Sequence, residues 1–73
     1  MIENAPTKTA DAVRIFRTSL GLSQSTLAGR AKLTTATICR IERGQNQPTL
    51  TSLNKIADAL GVEVAELVRG ADE

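Results

Sequence analysis

The stretch of sequence that decides the fold is residues 22–44, LSQSTLAGRAKLTTATICRIERG. It predicts two short helices, about 24–31 and about 35–43, with Ser23 and Thr34 as their N-caps. Apolar side chains recur at helical spacing along one face of each helix, at Leu27, Ala28, Ala31, Ile38 and Ile41. Two short helices that are joined by a three-residue turn, each with a narrow apolar face, are typical of a helix-turn-helix.

A first helix is predicted before this pair. Thr9 is expected to cap it, the helix runs to about Leu20, and Gly21 ends it. Its apolar face is expected to carry Val13, Phe16 and Leu20. Residues 1–8 include Pro6 and show no periodic pattern, so they predict a flexible tail.

Two more helices are predicted after the pair. Thr49 caps a fourth helix that ends at Gly61, and a short fifth helix covers about 63–69. The apolar stripe of the fourth helix is expected to contain Leu50, Leu53, Ile56, Ala57 and Leu60. Because no segment alternates apolar and polar residues, the sequence predicts an all-α, compact five-helix domain over residues 9–70, followed by a tail at 71–73.

The composition is that of an ordinary small domain. The chain has 73 residues, of which 41% are hydrophobic and 23% charged, with Phe16 as the one aromatic residue. A single core of Leu, Ile, Val and Ala is therefore expected to stabilise it by only a few kcal/mol. The sequence has no apolar run of membrane-spanning length, no signal-peptide pattern at its start and one cysteine, Cys39. These features favour a cytoplasmic protein without a disulfide.

The residue inventory argues against an enzyme. There is no histidine, and no Cys-His or Ser-His pair can form. No carboxylates cluster at metal-ligand spacing, and no glycine-rich phosphate loop is present. We therefore expect no metal, no cofactor and no small-molecule ligand, and we favour a binding function.

The net charge of +1 conceals a segregation of charge along the chain. Residues 1–44 carry seven Lys or Arg against three acidic residues, a net +4, whereas residues 45–73 carry two against five, a net −3. Such segregation can mark a surface that faces a polyanion, although a surface helix often has a basic side by chance.

The sequence resembles the Cro/repressor-type (XRE-type) helix-turn-helix family of DNA-binding regulators. The resemblance runs from about Val13 to Leu67. Its strongest pieces are GLSQ at 21–24, LA at 27–28, I..IERG at 38–44, P.L..L..IA.ALGV at 48–62 and EL at 66–67. The resemblance implies a lambda-repressor-like fold that binds double-stranded DNA.

The helix at about 35–43 is suited to read DNA. Ile38 and Ile41 are expected in the core, which leaves Thr35, Ala36 and Arg40 facing outward. Small side chains at its start let the backbone approach DNA, Thr hydroxyls and methyl groups can contact phosphate or base edges, and Arg40 can bind guanine O6 and N7. An alternative reading makes Arg40 a solvated surface charge.

Two threonines of this helix allow two readings. Thr34 and Thr37 are candidate DNA contacts, but they serve equally well as an N-cap and as a helix residue of no special function.

Further candidates follow from the resemblance. It implies that Gln24 binds a phosphate and braces the recognition helix, and that Arg43, Gln45 and Asn46 hold the DNA backbone. Ordinary loop polarity explains Gln45 and Asn46 almost as well.

Three other features carry specific expectations. The resemblance implies a partly buried salt bridge between Arg17 and Glu42, which would hold the recognition helix at its docking angle. Lys32 stands where the family usually has glycine, at a position expected to need a positive φ. Cys39 could be a redox sensor, but a tolerated small residue near the DNA surface is the favoured interpretation, because no resolving cysteine exists.

The function indicated by the sequence is a transcriptional regulator, expected to be a repressor that binds a pseudo-palindromic operator as a homodimer. The expected dimer surface consists of Val62, Val64, Leu67 and Val68, of which at least one must pack on Leu60 instead. The alternatives are an antitoxin or other protein-interaction module, and a controller protein of a restriction–modification system. The short segments outside the five helices disfavour the antitoxin.

Overall fold

Five α-helices make up the structure, a computed structural model that describes residues 8–45 and 47–69. They are α1 (Lys8–Ser19), α2 (Gln24–Ala31), α3 (Thr35–Glu42), α4 (Leu50–Leu60) and α5 (Val64–Arg69). The predicted all-α, five-helix fold is confirmed. In the described ranges, no helix has both the length and the apolar character needed to cross a membrane.

The start of α1 lies two residues earlier than predicted, because a helix capped by Thr9 would begin at Ala10. Lys8 already belongs to α1, so Thr9 lies inside the helix and does not cap it. The remainder of the two expected tails, residues 1–7 and 71–73, lies outside the described residues.

Three hydroxyl side chains begin α2, α3 and α4. Ser23, Thr34 and Thr49 each have extended backbone angles and accept a hydrogen bond from the backbone N–H three residues further on. The N···O distances are 3.0, 3.1 and 3.1 Å, respectively. Each bond satisfies an N–H that the first turn of a helix leaves unpaired, so the three predicted N-caps are confirmed.

The core is aliphatic and lies where the helices converge. α2 packs against both α3 and α4, while α1 packs against α3 and α5. The buried residues of the core are Val13, Leu27, Ala28, Ala31, Ile38, Ile41, Leu53, Ile56, Ala57, Leu60 and Leu67. Phe16 is half-buried at its edge. This packing fixes the orientation of α3, because its two isoleucines are held from inside the domain.

Two leucines that were predicted on apolar faces are exposed. Leu20 follows the last residue of α1 and is 54% exposed, because the chain turns there through Gly21, which has φ +72°. Leu50 is 67% exposed, because it is the first residue of α4 and lies one turn before Leu53, where burial of that helix begins. The predicted apolar faces are therefore each one residue too long.

The turn between α2 and α3 closes on a left-handed residue. Lys32 has φ 58° and ψ 42°, and its N–H bonds to the carbonyls of Ala28 and Gly29. Leu33 donates its N–H to the Ala28 carbonyl at 2.9 Å, which completes a Schellman-type ending. A side chain with a Cβ costs about 1 kcal/mol in this conformation, as expected where the family has glycine.

Candidate nucleic-acid interface

The first turns of α2 and α3 lie side by side. The hydroxyl oxygens of Ser25 and Thr35 are 3.4 Å apart, and either can be the donor. One turn further along α3, the Sγ of Cys39 donates to Oε1 of Gln24 at 3.1 Å. These contacts join the start of α2 to the outward side of α3 and make one polar surface from the two helices.

The outward side of α3 carries small side chains followed by a cation. Ile38 and Ile41 are buried, whereas Thr35, Ala36 and Arg40 are exposed. Arg40 lies one helical turn after Ala36, so the two side chains belong to the same row along the helix. The small side chains therefore let a binding partner come close to the start of α3, and one turn later Arg40 extends a long charged side chain.

Thr34 and Thr37 bond to each other as well as to the backbone. Their hydroxyl oxygens are 2.9 Å apart, and the Thr37 N–H donates to Thr34 Oγ1 at 3.1 Å. Thr34 is exposed and Thr37 is half-buried. The structure thus gives both residues a part in beginning α3, and their contacts with DNA stay a prediction.

A buried carboxylate ties three helices together. Glu42 is 6% exposed and accepts from Nε of Arg17 at 2.7 Å and from Nη2 of Arg17 at 3.0 Å. Its Oε1 also accepts from Nε2 of Gln24 at 3.0 Å, and Nη1 of Arg17 donates to the Leu22 carbonyl at 2.8 Å. We call Arg17, Gln24 and Glu42 the Glu42 cluster. In this cluster Glu42 binds both Arg17 and Gln24. The salt bridge and the bracing glutamine, which were separate predictions from the sequence, therefore share one carboxylate.

The Glu42 cluster holds Arg17 in its charged form. The hydrogen bond to Glu42 raises the pKa of Arg17, and the attraction between the two charges acts in the same direction, against the effect of burial. A raised pKa on a guanidinium keeps it charged at every pH at which proteins fold. Arg17 also directs three nitrogens into the domain, which favours its structural role over direct DNA contact.

Polar and basic side chains continue past the end of α3. Arg43 is its C-cap, and Gln45 donates its backbone N–H to the Arg40 carbonyl at 2.9 Å, so the chain folds back after the helix. The side chains of Arg40, Arg43 and Gln45 are all exposed. Asn46, the last predicted contact of this loop, lies outside the described residues.

The predicted dimer surface requires one correction. Leu67 is 0% exposed and belongs to the core, so it is not available for pairing between copies. Val62 and Val64 are half-buried and pack against the same core, while Val68 is 40% exposed. Helical spacing explains the difference, because adjacent residues of α5 lie about 100° apart and only one of Leu67 and Val68 can face inward.

Sequence reasoning missed two polar contacts at this surface. Ser25 was not selected, although a small polar residue beside Gln24 in the first turn of a helix is a usable signal. The bond between Cys39 and Gln24 had no signal in the sequence, because it depends on how α2 crosses α3.

A short helix that lies across the start of a second helix, whose outward side is small, polar and basic, defines a helix-turn-helix DNA-binding protein. Comparison with known proteins agrees. The family model described as helix-turn-helix matches residues 13–67. An HTH-type transcriptional regulator of Methanothermobacter thermautotrophicus, itself uncharacterized, is 41% identical over 61 residues, which span 84% of this chain and 88% of that protein.

Two solved structures have the same fold. The restriction-modification controller protein C.AhdI from Aeromonas hydrophila superposes with a TM-score of 0.81 at 39% identity, covering 84% of this chain and 92% of that one. The controller protein C.Esp1396I gives a TM-score of 0.78 at 28% identity, covering 88% of each chain. The chain belongs to the helix-turn-helix family of Cro/repressor-type transcriptional regulators, and the resemblance found in the sequence is confirmed.

Proposed function

We propose that this regulator is a repressor that binds a pseudo-palindromic operator as a homodimer, with residues 9–70 as its DNA-binding domain. The observation that carries the proposal is the two-sided character of α3. Ile38 and Ile41 anchor it in the core, while Thr35, Ala36 and Arg40 remain exposed beside the first turn of α2. A protein of this kind acts where the chromosome is, in the cytoplasm.

In the proposed complex α3 lies in the major groove. Arg40 donates to guanine O6 and N7, and Thr35 and Ala36 allow the backbone to come close to the bases. Gln24 and Arg43 donate to phosphates on either side of the groove, with Gln45 and Asn46 in support. The exposure of Arg40, Arg43 and Gln45 supports these roles.

Pairing of two copies is proposed because one recognition helix contacts too few base pairs for useful specificity. Two half-sites about one helical turn apart double the information, and their symmetry matches that of a homodimer. Val68, together with the half-buried Val62 and Val64, is the proposed centre of the pairing surface. Leu67 supports it from inside the core.

A second candidate is the control of a restriction–modification system. The two controller proteins that resemble this chain match it over 92% and 88% of their own lengths, at TM-scores of 0.81 and 0.78. Such a role would use the same surface and the same dimer. The genes beside the one for this protein would separate the two candidates, because genes of a restriction–modification system are expected there only if the protein is its controller.

The test of DNA binding is a selection from randomised duplexes, followed by titration of the selected duplex at increasing salt. At least four phosphate contacts per protomer predict a loss of affinity of about 10³-fold or more between about 50 and 200 mM salt. A shuffled duplex of the same length is the control and is expected to bind more weakly with a similar salt slope. If no sequence is enriched, or if affinity does not depend on salt, the proposal is wrong.

A further inference from the structure

Cys39 lies on the recognition helix but was given no part in binding. We propose that Cys39 is a positioning residue, whose thiol orients the side-chain amide of Gln24 for contact with a DNA phosphate. The inference rests on the DNA-binding function proposed above and adds one residue to it. The contact that carries it is the 3.1 Å hydrogen bond from Sγ of Cys39 to Oε1 of Gln24.

The orientation of the Gln24 amide is decided at its other end. Both oxygens of Glu42 accept hydrogen bonds from Arg17, and the carboxylate of this salt bridge presents no donor to Gln24. The atom of Gln24 that lies 3.0 Å from this carboxylate must therefore be the donor, Nε2. The carbonyl oxygen of the amide then faces Cys39, whose S–H is the donor that fits it.

This orientation leaves one donor for DNA. Nε2 has two N–H groups, and Glu42 accepts one of them. Among the described residues the second N–H has no hydrogen-bond acceptor. Gln24 is also the first residue of α2, where phosphates of DNA are favoured. The amide torsion of a glutamine is broad, so a single hydrogen bond does not fix it. The second bond, from Cys39, holds the amide in one orientation before DNA arrives.

The effect of the thiol is expected to be modest and separable. Because an S–H is a weak donor, its loss should leave the side-chain amide of Gln24 less ordered, while the hydrogen bonds within the Glu42 cluster remain. Cys39→Ser keeps a donor of similar size, whereas Cys39→Ala removes the donor and leaves a good helix former. The pair of variants therefore isolates the hydrogen bond from the shape of the helix.

The experiment is a double-mutant cycle on binding to a duplex that the unaltered protein selects from a randomised library. Cys39→Ala is expected to weaken binding by about threefold to tenfold for each protomer, and Cys39→Ser is expected to restore it. When Gln24 is replaced by alanine, adding Cys39→Ala should cause no further loss. Thermal unfolding of each variant shows whether folded proteins are being compared.

A second readout follows the amide without DNA. In ¹H–¹⁵N spectra the side-chain NH₂ signals of Gln24 should move in Cys39→Ala and return in Cys39→Ser. Unmoved signals in Cys39→Ala overturn the inference. So does an equal loss of binding with and without Gln24, because Cys39 would then act on DNA directly. If the unaltered protein selects no duplex, the proposed function fails first, and this inference fails with it.

Discussion

Arg40 is the side chain on which base preference is expected to depend. It is exposed one turn after Ala36, so removing it leaves the core unchanged. Arg40→Ala should weaken operator binding by about 1–3 kcal/mol and relax the preference at one base pair in each half-site. Selection from a randomised operator with the variant measures both effects. An unchanged base preference would mean that Thr35, Ala36 or the shape of the DNA supplies the specificity.

Arg43 is the matched control for Arg40. It is also exposed, but it caps α3 and is proposed to hold a phosphate. Arg43→Ala should weaken all duplexes about equally and lower the salt slope by about one for each protomer. Titration of selected and shuffled duplexes at several salt concentrations tests this, and a selective loss on the operator would contradict the phosphate role.

Replacement of Arg17 should mainly lower the stability of the domain. Its side chain is 13% exposed, and it donates to the 4% exposed carboxylate of Glu42 at 2.7 Å. Arg17→Ala leaves that carboxylate buried without its counter-charge, so we expect a loss of about 3 kcal/mol in the free energy of unfolding. Denaturant unfolding followed by circular dichroism measures it.

The pair replacement Arg17→Met with Glu42→Leu is the control for this prediction. An apolar pair of similar volume removes the buried charge together with its partner, so most of the lost stability should return. DNA binding should be weaker than that of the unaltered protein, because Gln24 loses the acceptor that holds its Nε2. Equal instability of the single and the paired variants would show that packing, and not charge, explains the effect of Arg17.

At the scale of the helix, the sequence predicted best where a local rule applies. Ser23, Thr34 and Thr49 were identified as N-caps because a hydroxyl that precedes an apolar periodic segment satisfies nearby N–H groups. The start of α5 follows a local rule as well. Glu66 accepts from the backbone N–H of Glu63 at 3.1 Å, the returning half of a capping box.

The sequence predicted less well where neighbouring helices decide. Leu20 and Leu50 continue the apolar spacing of their helices, yet both are exposed, because periodicity does not show how far a packed face extends. The bond between Cys39 and Gln24 likewise depends on the crossing of two helices. Periodicity predicts which face of a helix points inward. Only the packing shows which residues of two neighbouring helices contact each other.

The α2–α3 turn gives a prediction at the same scale. Lys32 has φ 58°, where a Cβ crowds the backbone and glycine does not. Lys32→Gly should therefore stabilise the domain, by about 1 kcal/mol. The thermal midpoint should rise, and the change can be measured by circular dichroism at equal protein concentration.

Lys32→Ala separates the conformational effect from the loss of a charge. Alanine keeps the Cβ and its strain, so stability should not increase. If both variants are stabilised equally, relief of charge repulsion is the cause. Gly61 offers the reverse test, because it has φ +72° with no atom near an added Cβ, and Gly61→Ala should destabilise by a similar amount.

At the scale of the whole molecule, the sequence predicted the architecture because several independent sequence features favoured the same fold. Helix periodicity, caps and an aliphatic core all favoured five short helices, and the resemblance to the family indicated the same fold over residues 13–67. The pairing surface was harder to predict. Leu67 and Val68 are neighbours with similar side chains, and their division between core and surface depends on the rotation of α5 against α1 and α4.

That division gives the last prediction. Val68 is 40% exposed, so Val68→Asp should leave the domain folded, separate the proposed dimer and weaken operator binding strongly. Leu67 is 0% exposed, so Leu67→Asp should unfold the protein by burying an unpaired charge. Leu20→Asp is the control, because Leu20 is also exposed, at 54%, but does not belong to the proposed pairing surface, so the change should alter neither folding nor pairing. Light scattering and circular dichroism on the three variants distinguish these outcomes. A dimer that persists in Val68→Asp would place the pairing surface elsewhere on the molecule.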